Sequence, residues 1–243
     1  MTLPPAEELG CAHAIEDYLR LVLEKRPQGT EVGWFFRGQR QYDWLLEPKI
    51  DRLTFANYRR ARRWTRRQHE ERLLNDFRRG ARPHVTVQPS DEWEWLAVAQ
   101  HHGLATRLLD WTSNPLAALY FAVEDREQSY IESAVWCYHH SGRGWSDCRL
   151  ESPFAPMDLI EFRPAHLTPR ITVQAGCFTA HPDPEGTTPQ NAGALKKIKI
   201  LGPQRDKLRE ELRRLGVERA SLFPDLDGIA LSVNSHLSGE GVD

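Results

Sequence analysis

The sequence lacks the features that mark several large protein classes. Its formal net charge is only −2 over 243 residues, so the chain as a whole is not a polycation built to coat nucleic acid. No apolar run approaches the roughly 20 residues that a membrane-spanning helix needs. The first twenty residues are acidic and lack the apolar core of a secretory signal. We therefore expect a cytoplasmic protein that does not associate with membranes.

Cysteine is scarce, and the cysteines are scattered along the chain as Cys11, Cys137, Cys148 and Cys177. No two of them have CxxC spacing, and the cluster Cys137-Tyr138-His139-His140 alternates as an edge strand does, so we expect reduced thiols and no metal. Neither GxGxxG nor GxxxxGK[S/T] occurs, which removes the two commonest nucleotide-binding loops.

What the sequence does contain is the composition of a globular domain, with 40% hydrophobic and 27% charged residues. Periodicity predicts helices over residues 11–26, 55–80, 90–103, 115–125 and 205–217, and strands over 31–39, 133–140, 158–164 and 194–201. We expect a capping box at Ser90 and a helix end at Gly103. Because regular strand–helix alternation is missing, the pattern indicates an α+β fold, a mixed or antiparallel sheet with flanking helices in a single domain over 1–243.

Three segments place polar residues where a core requires apolar ones. The first is an aromatic run that ends in Arg37-Gly38-Gln39. A buried guanidinium needs a partner, so Arg37 either pairs with a distant carboxylate or clamps an anion such as a phosphate in a bidentate manner. Gly38 permits the close approach of a backbone or a ligand.

The second segment, residues 100–115, has two histidines, an arginine, an aspartate and hydroxyl groups, which we interpret as a helix–loop–helix corner. In one interpretation Arg107 pairs with Asp110, and Thr106 or Ser113 caps a helix. In the other, the same groups line a pocket beside a tryptophan.

The third segment, residues 223–228, is a Pro-Asp turn that ends in glycine. Its two acids, Asp225 and Asp227, are also candidates to receive Arg37 or Arg107.

Arginine is concentrated between residues 52 and 82 with few compensating acids. The stretch predicts an Arg-rich helical insertion with a local positive field. It is either a solvated or intramolecular face, or a nucleic-acid surface on which tyrosine and tryptophan stack bases. The candidate nucleic-acid-binding residues are Arg59, Arg60, Arg63, Arg66 and Arg67.

Taken together, these segments resemble the FRG domain family, whose aromatic-Arg-Gly motif corresponds to Phe36-Arg37-Gly38. The family's central block is similar to the string Gln100–Thr112, which continues through Asn114-Pro115 to Ala122. Later blocks resemble Gln174-x-Gly176-x-Phe178 and Leu222–Gly228. The resemblance covers about residues 30–230, and the N-terminal helix and the Arg-rich insertion at about 52–82 lie outside its motifs.

The pattern is also similar to the ADP-ribosyltransferase fold, in which an arginine at the end of the first core strand holds NAD and a Ser/Thr-bearing strand leads into a helix. The resemblance implies catalytic roles for Arg37, Asp110 and Asp227. It implies NAD binding by Arg37, Gly38, Gln39, His101, Thr106, Arg107, Thr112 and Ser113. Such enzymes usually take a glutamate from a late strand, but the late strand here, 194–200, offers lysines. Asp110, Asp225 or Asp227 then replaces the glutamate, or the domain binds a nucleotide without cleaving it.

These implications favour an enzyme that ADP-ribosylates a protein or nucleic-acid acceptor with NAD, or that hydrolyses NAD, in the manner of a toxin or anti-phage defence effector. Two alternatives remain open. One is a nucleic-acid-binding module or nuclease built on the Arg-rich stretch. The other is a non-catalytic sensor in which Arg37, Arg107, Asp110 and the Asp225/Asp227 turn form a closed charge network.

Overall fold

The structure, a computed structural model, describes residues 6–24, 33–53, 64–126, 130–139, 152–156, 159–164, 173–182 and 194–237. Among these residues, no helix is long and apolar enough to cross a membrane. No group of three or more His, Cys, Asp or Glu side chains in the same part of the chain is arranged to hold a metal ion.

The described strands form one seven-stranded mixed sheet in the order β1-β7-β4-β2-β3-β6-β5. In chain order they are β1 (Glu7–Ala12), β2 (Trp34–Gln39), β3 (Leu108–Thr112), β4 (Ser133–His139), β5 (Ile160–Phe162), β6 (Gly176–Ala180) and β7 (Ala194–Ile200). Strands β1 and β7 are parallel, and every other neighbouring pair is antiparallel. The predicted α+β class with a mixed sheet is confirmed.

The helices lie between and after the strands in the sequence. They are α1 (Ile15–Glu24), α2 (Arg66–Ala81), α3 (Glu92–His101), α4 (Pro115–Val123), α5 (Arg205–Arg214), α6 (Arg219–Leu222) and α7 (Leu226–Leu237). Short 3₁₀ turns occupy Lys49–Arg52, Arg82–His84 and Gly202–Gln204.

The sheet consists of two halves that meet at a single bridge pair, Phe36 of β2 opposite Thr112 of β3. On one face, β1, β7, β4 and β2 share a core with α1, α4 and α5. On β3, β6 and β5 a separate core packs against α2 and α3. Because side chains alternate along a strand, the neighbours of these residues point the other way. There one cluster, which includes Phe35, Trp111 and Trp136, spans both halves.

The prediction of a helix from residue 11 was wrong at its N-terminal end. Cys11 and Ala12 belong to β1, where they pair with Lys199 and Ile200 of β7, and the helix begins at Ile15. Hydrogen bonding to a strand nearly 190 residues away in sequence overrides the local helical pattern, and periodicity within one segment cannot detect such a pairing.

Helix α3 begins one residue later than the predicted capping box. The N-cap is Asp91, whose carboxylate accepts from the Glu94 backbone N–H at 2.9 Å, while the Ser90 backbone N–H donates to the Glu94 carboxylate. Gly103 follows the helix with φ +87°, the left-handed conformation that the prediction required of it. The segment after Gly103 is not only a corner between helices, because it contains strand β3.

The Arg-rich stretch forms helix α2 from Arg66 onward. Thr65 caps it in a reciprocal capping box with Gln68. The first part of the predicted helix, residues 55–63 with Arg59, Arg60 and Arg63, lies outside the described residues.

Helix α4 packs directly on β2 at Gly38. The Asn114 side chain caps the helix by accepting from the Leu116 and Ala117 backbone N–H groups, and Pro115 occupies the first turn as predicted. A Cβ at Gly38 would lie 2.1 Å from the Ala118 carbonyl oxygen. Gly38 is therefore required by the approach of a helix backbone.

Replacing Gly38 with alanine is expected to destabilise the protein by about 1–3 kcal/mol, because the new methyl group must push α4 away from β2. The free energy of unfolding in urea measures the loss. Gly80→Ala is the control, since a Cβ at Gly80 on α2 meets nothing within 4 Å and should be neutral or stabilising. Equal stability of the Gly38 and Gly80 variants would contradict this packing account.

Candidate functional site

A cleft of about 350 Å³ opens where β2 and β3 separate next to their single bridge. Its lining combines cations, acids, amides and aromatic rings. The charged groups are Arg37, Arg40, Arg52, Asp110 and Glu124. The rings are Phe36, Trp44, Trp111 and Phe121, and the other polar residues include Gln39, Gln100, His101, Thr112 and Gln174. The cleft thus brings together residues from the first two predicted segments.

The Arg37 side chain is the most enclosed of the arginines in the cleft, with 17% of its surface exposed. Its Nη1 donates to the main-chain oxygen of Asp110 at 2.8 Å and lies 3.5 Å from the carboxylate Oδ2. Its buried Nε has no hydrogen-bond partner among the described residues. Burial and the positive charge of Arg52 lower the pKa of Arg37, while Asp110 opposes that shift. Nη2, which has no partner among the described residues, is the donor left for a ligand.

The two carboxylate oxygens of Asp110 differ in their hydrogen bonding. Oδ2 accepts from the Gln100 side-chain amide at 3.0 Å and faces Arg37. Oδ1 has no partner in the described part of the chain, and 55% of the side chain is exposed. A carboxylate and a largely enclosed guanidinium therefore stand side by side on the cleft wall.

The outer part of the cleft is cationic and aromatic. Trp44, in the loop after β2, leaves 41% of its surface exposed. Arg40 lies 3.6 Å from the Asp125 carboxylate, and Arg52, at the end of a 3₁₀ turn, is exposed. This combination can receive a ligand that has both an anionic group and a flat ring.

Gln39 and Thr112 line the cleft, but their polar groups hold the protein together. The Gln39 amide accepts from the Trp136 indole N–H at 2.6 Å and donates to the Leu45 carbonyl, so it fixes the loop that contains Trp44. The Thr112 hydroxyl donates to the Gln174 carbonyl at 2.6 Å and accepts from a backbone N–H. These side chains therefore support the structure of the cleft wall, and the hydrogen bonds described engage their polar groups within the protein.

Arg107 does not line the cleft, which corrects its expected place beside the ligand. Its fully buried guanidinium forms a two-pronged ion pair with buried Glu70 of α2 and donates to the His181 carbonyl at 3.2 Å. The expected pair between Arg107 and Asp110 is likewise absent from the described contacts, because Asp110 faces Arg37. A buried guanidinium requires a counter-charge that is buried with it. For Arg107 this counter-charge is the carboxylate of Glu70, which lies far away in sequence.

Two further predicted ligands also lie outside the cleft. Thr106 is buried behind it and bonds Gln100. Ser113 is exposed, and its backbone N–H donates to the Ala175 carbonyl. His101 does line the cleft, half-buried, with its ring edge-on to His102 at 4.9 Å.

The Phe223–Gly228 turn has a structural role apart from Arg37. Asp225 caps α7 by accepting from the Gly228 backbone N–H at 2.7 Å. A Cβ at Gly228 would lie 2.1 Å from the Phe223 carbonyl oxygen, which explains why glycine occupies this position. Asp227 lines a second, more open cavity of about 580 Å³ that shares no lining residue with the cleft.

The two described candidates for nucleic-acid binding, Arg66 and Arg67 of α2, are paired with acids of the same chain. Arg66 contacts both carboxylate oxygens of Asp51 at 2.9 and 3.0 Å, and Arg67 pairs with Glu71 at 2.7 Å. Within the described part of the stretch, these two candidates for nucleic-acid binding serve intramolecular contacts.

Strand β7 supplies lysine where the resemblance implies an acid. Lys197 lies opposite Trp136, which in turn lies opposite Arg37. Its ammonium group sits 3.8 Å from the ring centre of Tyr42 and donates to the Tyr42 carbonyl, and burial lowers its pKa. Of the acids proposed to replace the glutamate, only Asp110 lines the cleft.

The sequence pattern predicts Trp44 as a buried anchor of the loop after β2, which is wrong, because 41% of its surface is exposed at the cleft. It assigns no ligand-binding role to Gln100, Glu124 or Gln174, which also line the cleft. Gln100 and Gln174 each begin a motif block of the family resemblance, and this position in the sequence is the signal that could have identified them. Buried His181 was also missed. It bonds the Thr179 hydroxyl at 3.0 Å, and burial followed by the charges of three arginines lowers its pKa to about 3, so it is neutral near pH 7.

Comparison with known families confirms the resemblance found in the sequence. The model of the FRG domain matches residues 33–130, which include Arg37, Gln100, Asp110 and α4. The motif blocks at 174–178 and 222–228 lie beyond the matched range. No curated protein and no solved structure matches the chain.

Breaking the buried ion pair by Glu70→Ala is expected to cost about 3–5 kcal/mol of unfolding free energy, because Arg107 would remain buried without its counter-charge. Chemical denaturation measures the difference. Glu71→Ala, one residue away in an exposed pair with Arg67, should cost about 0.5 kcal/mol or less. A loss below about 1 kcal/mol for Glu70→Ala would show that the pair does not anchor α2 to the sheet.

Proposed function

We propose that the chain, which contains an FRG domain, is an NAD-cleaving enzyme, an ADP-ribosyltransferase or NAD glycohydrolase, whose active site is the cleft between β2 and β3. The main support for the proposal is the environment of the Arg37 guanidinium. It is largely enclosed in the cleft, keeps an unpaired Nε, and stands beside the exposed carboxylate of Asp110.

Arg37 is suited to hold the diphosphate of the dinucleotide. Its Nη1 is engaged by Asp110, and no described residue accepts from its Nη2, which is left to donate to phosphate oxygens. An anion would also balance the desolvation that lowers the pKa of this guanidinium. Arg52, exposed at the rim, adds a second positive charge for the other phosphate.

Asp110 is suited to the bond-breaking step. When the C1′–N bond of NAD breaks, its electron pair leaves with nicotinamide and the ribose gains oxocarbenium character. The open Oδ1 of Asp110 would accept a hydrogen bond from a ribose hydroxyl and stabilise that positive charge. Water or a nucleophile of a macromolecular acceptor then bonds to C1′ and loses its proton.

The aromatic rings would orient the ligand's flat groups. Trp44 is exposed at the cleft, and Trp111 is fixed in place because its indole N–H donates to Thr179 at 2.9 Å. Stacking on such rings favours a nicotinamide or adenine ring over an aliphatic ligand of equal charge.

The test is the release of nicotinamide from NAD by the purified chain, with and without protein and nucleic-acid acceptors. Arg37→Ala is expected to lower kcat/KM by about 100-fold or more, and Arg37→Lys should not restore it because lysine lacks the planar fork. Exposed Arg20, which pairs with Asp17 on α1, provides the control Arg20→Ala with unchanged activity.

Thermal melting accompanies each assay, so that loss of activity is separated from loss of fold. Nicotinamide release by Arg37→Ala at the wild-type rate would overturn the assignment of Arg37. Absence of nicotinamide release by the wild-type chain with every acceptor would overturn the proposed function.

A further inference from the structure

A chain of three side chains runs from the protein interior to the cleft carboxylate. The Thr106 hydroxyl lies 2.5 Å from the Gln100 Oε1, and the Gln100 Nε2 lies 3.0 Å from the Asp110 Oδ2. Thr106 has 1% of its surface exposed and does not line the cleft, whereas Asp110 does.

The direction of each hydrogen bond in this chain is determined by its neighbours. The Thr106 oxygen accepts from the Leu108 backbone N–H at 3.1 Å, so its single hydrogen is donated to the Gln100 Oε1. The two hydrogens of the Gln100 Nε2 are then directed to the Leu108 carbonyl at 3.5 Å and to Asp110. With the amide flipped, its oxygen would face a carbonyl and a carboxylate, both acceptors.

The hydrogen bonds from Thr106 through Gln100 determine which oxygen of Asp110 is available to a ligand. Gln100 from one side and Arg37 from the other both address Oδ2. Two donors to Oδ2 oppose rotation of the Asp110 carboxylate group. Oδ1, which has no partner among the described residues, therefore keeps its orientation toward the cleft.

We propose that Thr106 and Gln100 are positioning residues that orient Asp110 for catalysis, with Thr106 acting through the Gln100 amide. The inference rests on the proposed function, in which Asp110 stabilises the ribose cation. Thr106 therefore does not contact the ligand, as the resemblance implied, but affects the rate at which the C1′–N bond breaks. Arg37, by contrast, affects nucleotide binding.

The experiment compares Thr106→Val, which has nearly the same shape but no hydroxyl, with Thr106→Ser, which keeps the hydroxyl. Thr106→Val should lower kcat for NAD cleavage by about 10- to 100-fold with little change in KM, and Thr106→Ser should restore most of the rate. Thermal melting establishes that both variants are folded. If Thr106→Val does not fold, Gln100→Met replaces it as the variant that removes the donor to Asp110.

A second readout does not depend on activity. In NMR spectra of the wild type, the Gln100 side-chain amide protons should exchange slowly with water, since both have acceptors. Thr106→Val should speed this exchange and shift the resonances, and Thr106→Ser should not. If the wild type releases no nicotinamide, the proposed function fails, and this readout alone decides whether the hydrogen-bonded chain exists.

Three results would overturn the proposal. The first is cleavage by Thr106→Val at the wild-type rate. The second is Gln100 amide exchange that is identical in the valine and serine variants. A fall in kcat that serine does not restore would also count against it, because the hydroxyl would then not be the group that matters.

Discussion

The site depends on the junction at which the two halves of the sheet meet through one bridge pair, Phe36 opposite Thr112. Had β2 and β3 paired along their whole length, their backbone groups would have satisfied each other and closed the gap. Instead, Arg37 extends its guanidinium across the gap to the Asp110 carbonyl. Each half has its own core on one face, and a shared aromatic cluster on the other face holds them together. The cleft therefore begins at this junction of the sheet, and residues of α3, α4 and the neighbouring loops complete its walls.

The residues around this junction divide into those that build the cleft and those that face a ligand. Gly38 lets α4 approach β2, Asn114 caps that helix, and Gln39 fixes the loop with Trp44. The ion pair between Glu70 and Arg107 fastens the Arg-rich helix to the second half of the sheet. With these groups occupied, the donors and acceptors that remain open belong mainly to Arg37 and Asp110, which is why the chemistry is placed there.

Local patterns predicted the elements whose own sequence determines them, such as the β2 aromatic strand and the end of α3 at Gly103. They failed where a distant partner decides, as at Cys11 and Ala12, which pair with β7. The same holds for the site. Arg37 and Asp110 stood out as polar groups in apolar surroundings, and the motif strings brought the right segments together. The partner of Arg107 could not be read from the sequence, because burial selects Glu70 over the nearer Asp110.

The crystal structure of the chain soaked with NAD tests the central claim most directly. We expect density for the dinucleotide between β2 and β3, with diphosphate oxygens within hydrogen-bonding distance of the Arg37 guanidinium and a ribose hydroxyl against the Asp110 Oδ1. Density for NAD at another place, such as the cavity beside Asp227, with Arg37 still bonded only to Asp110, would contradict it.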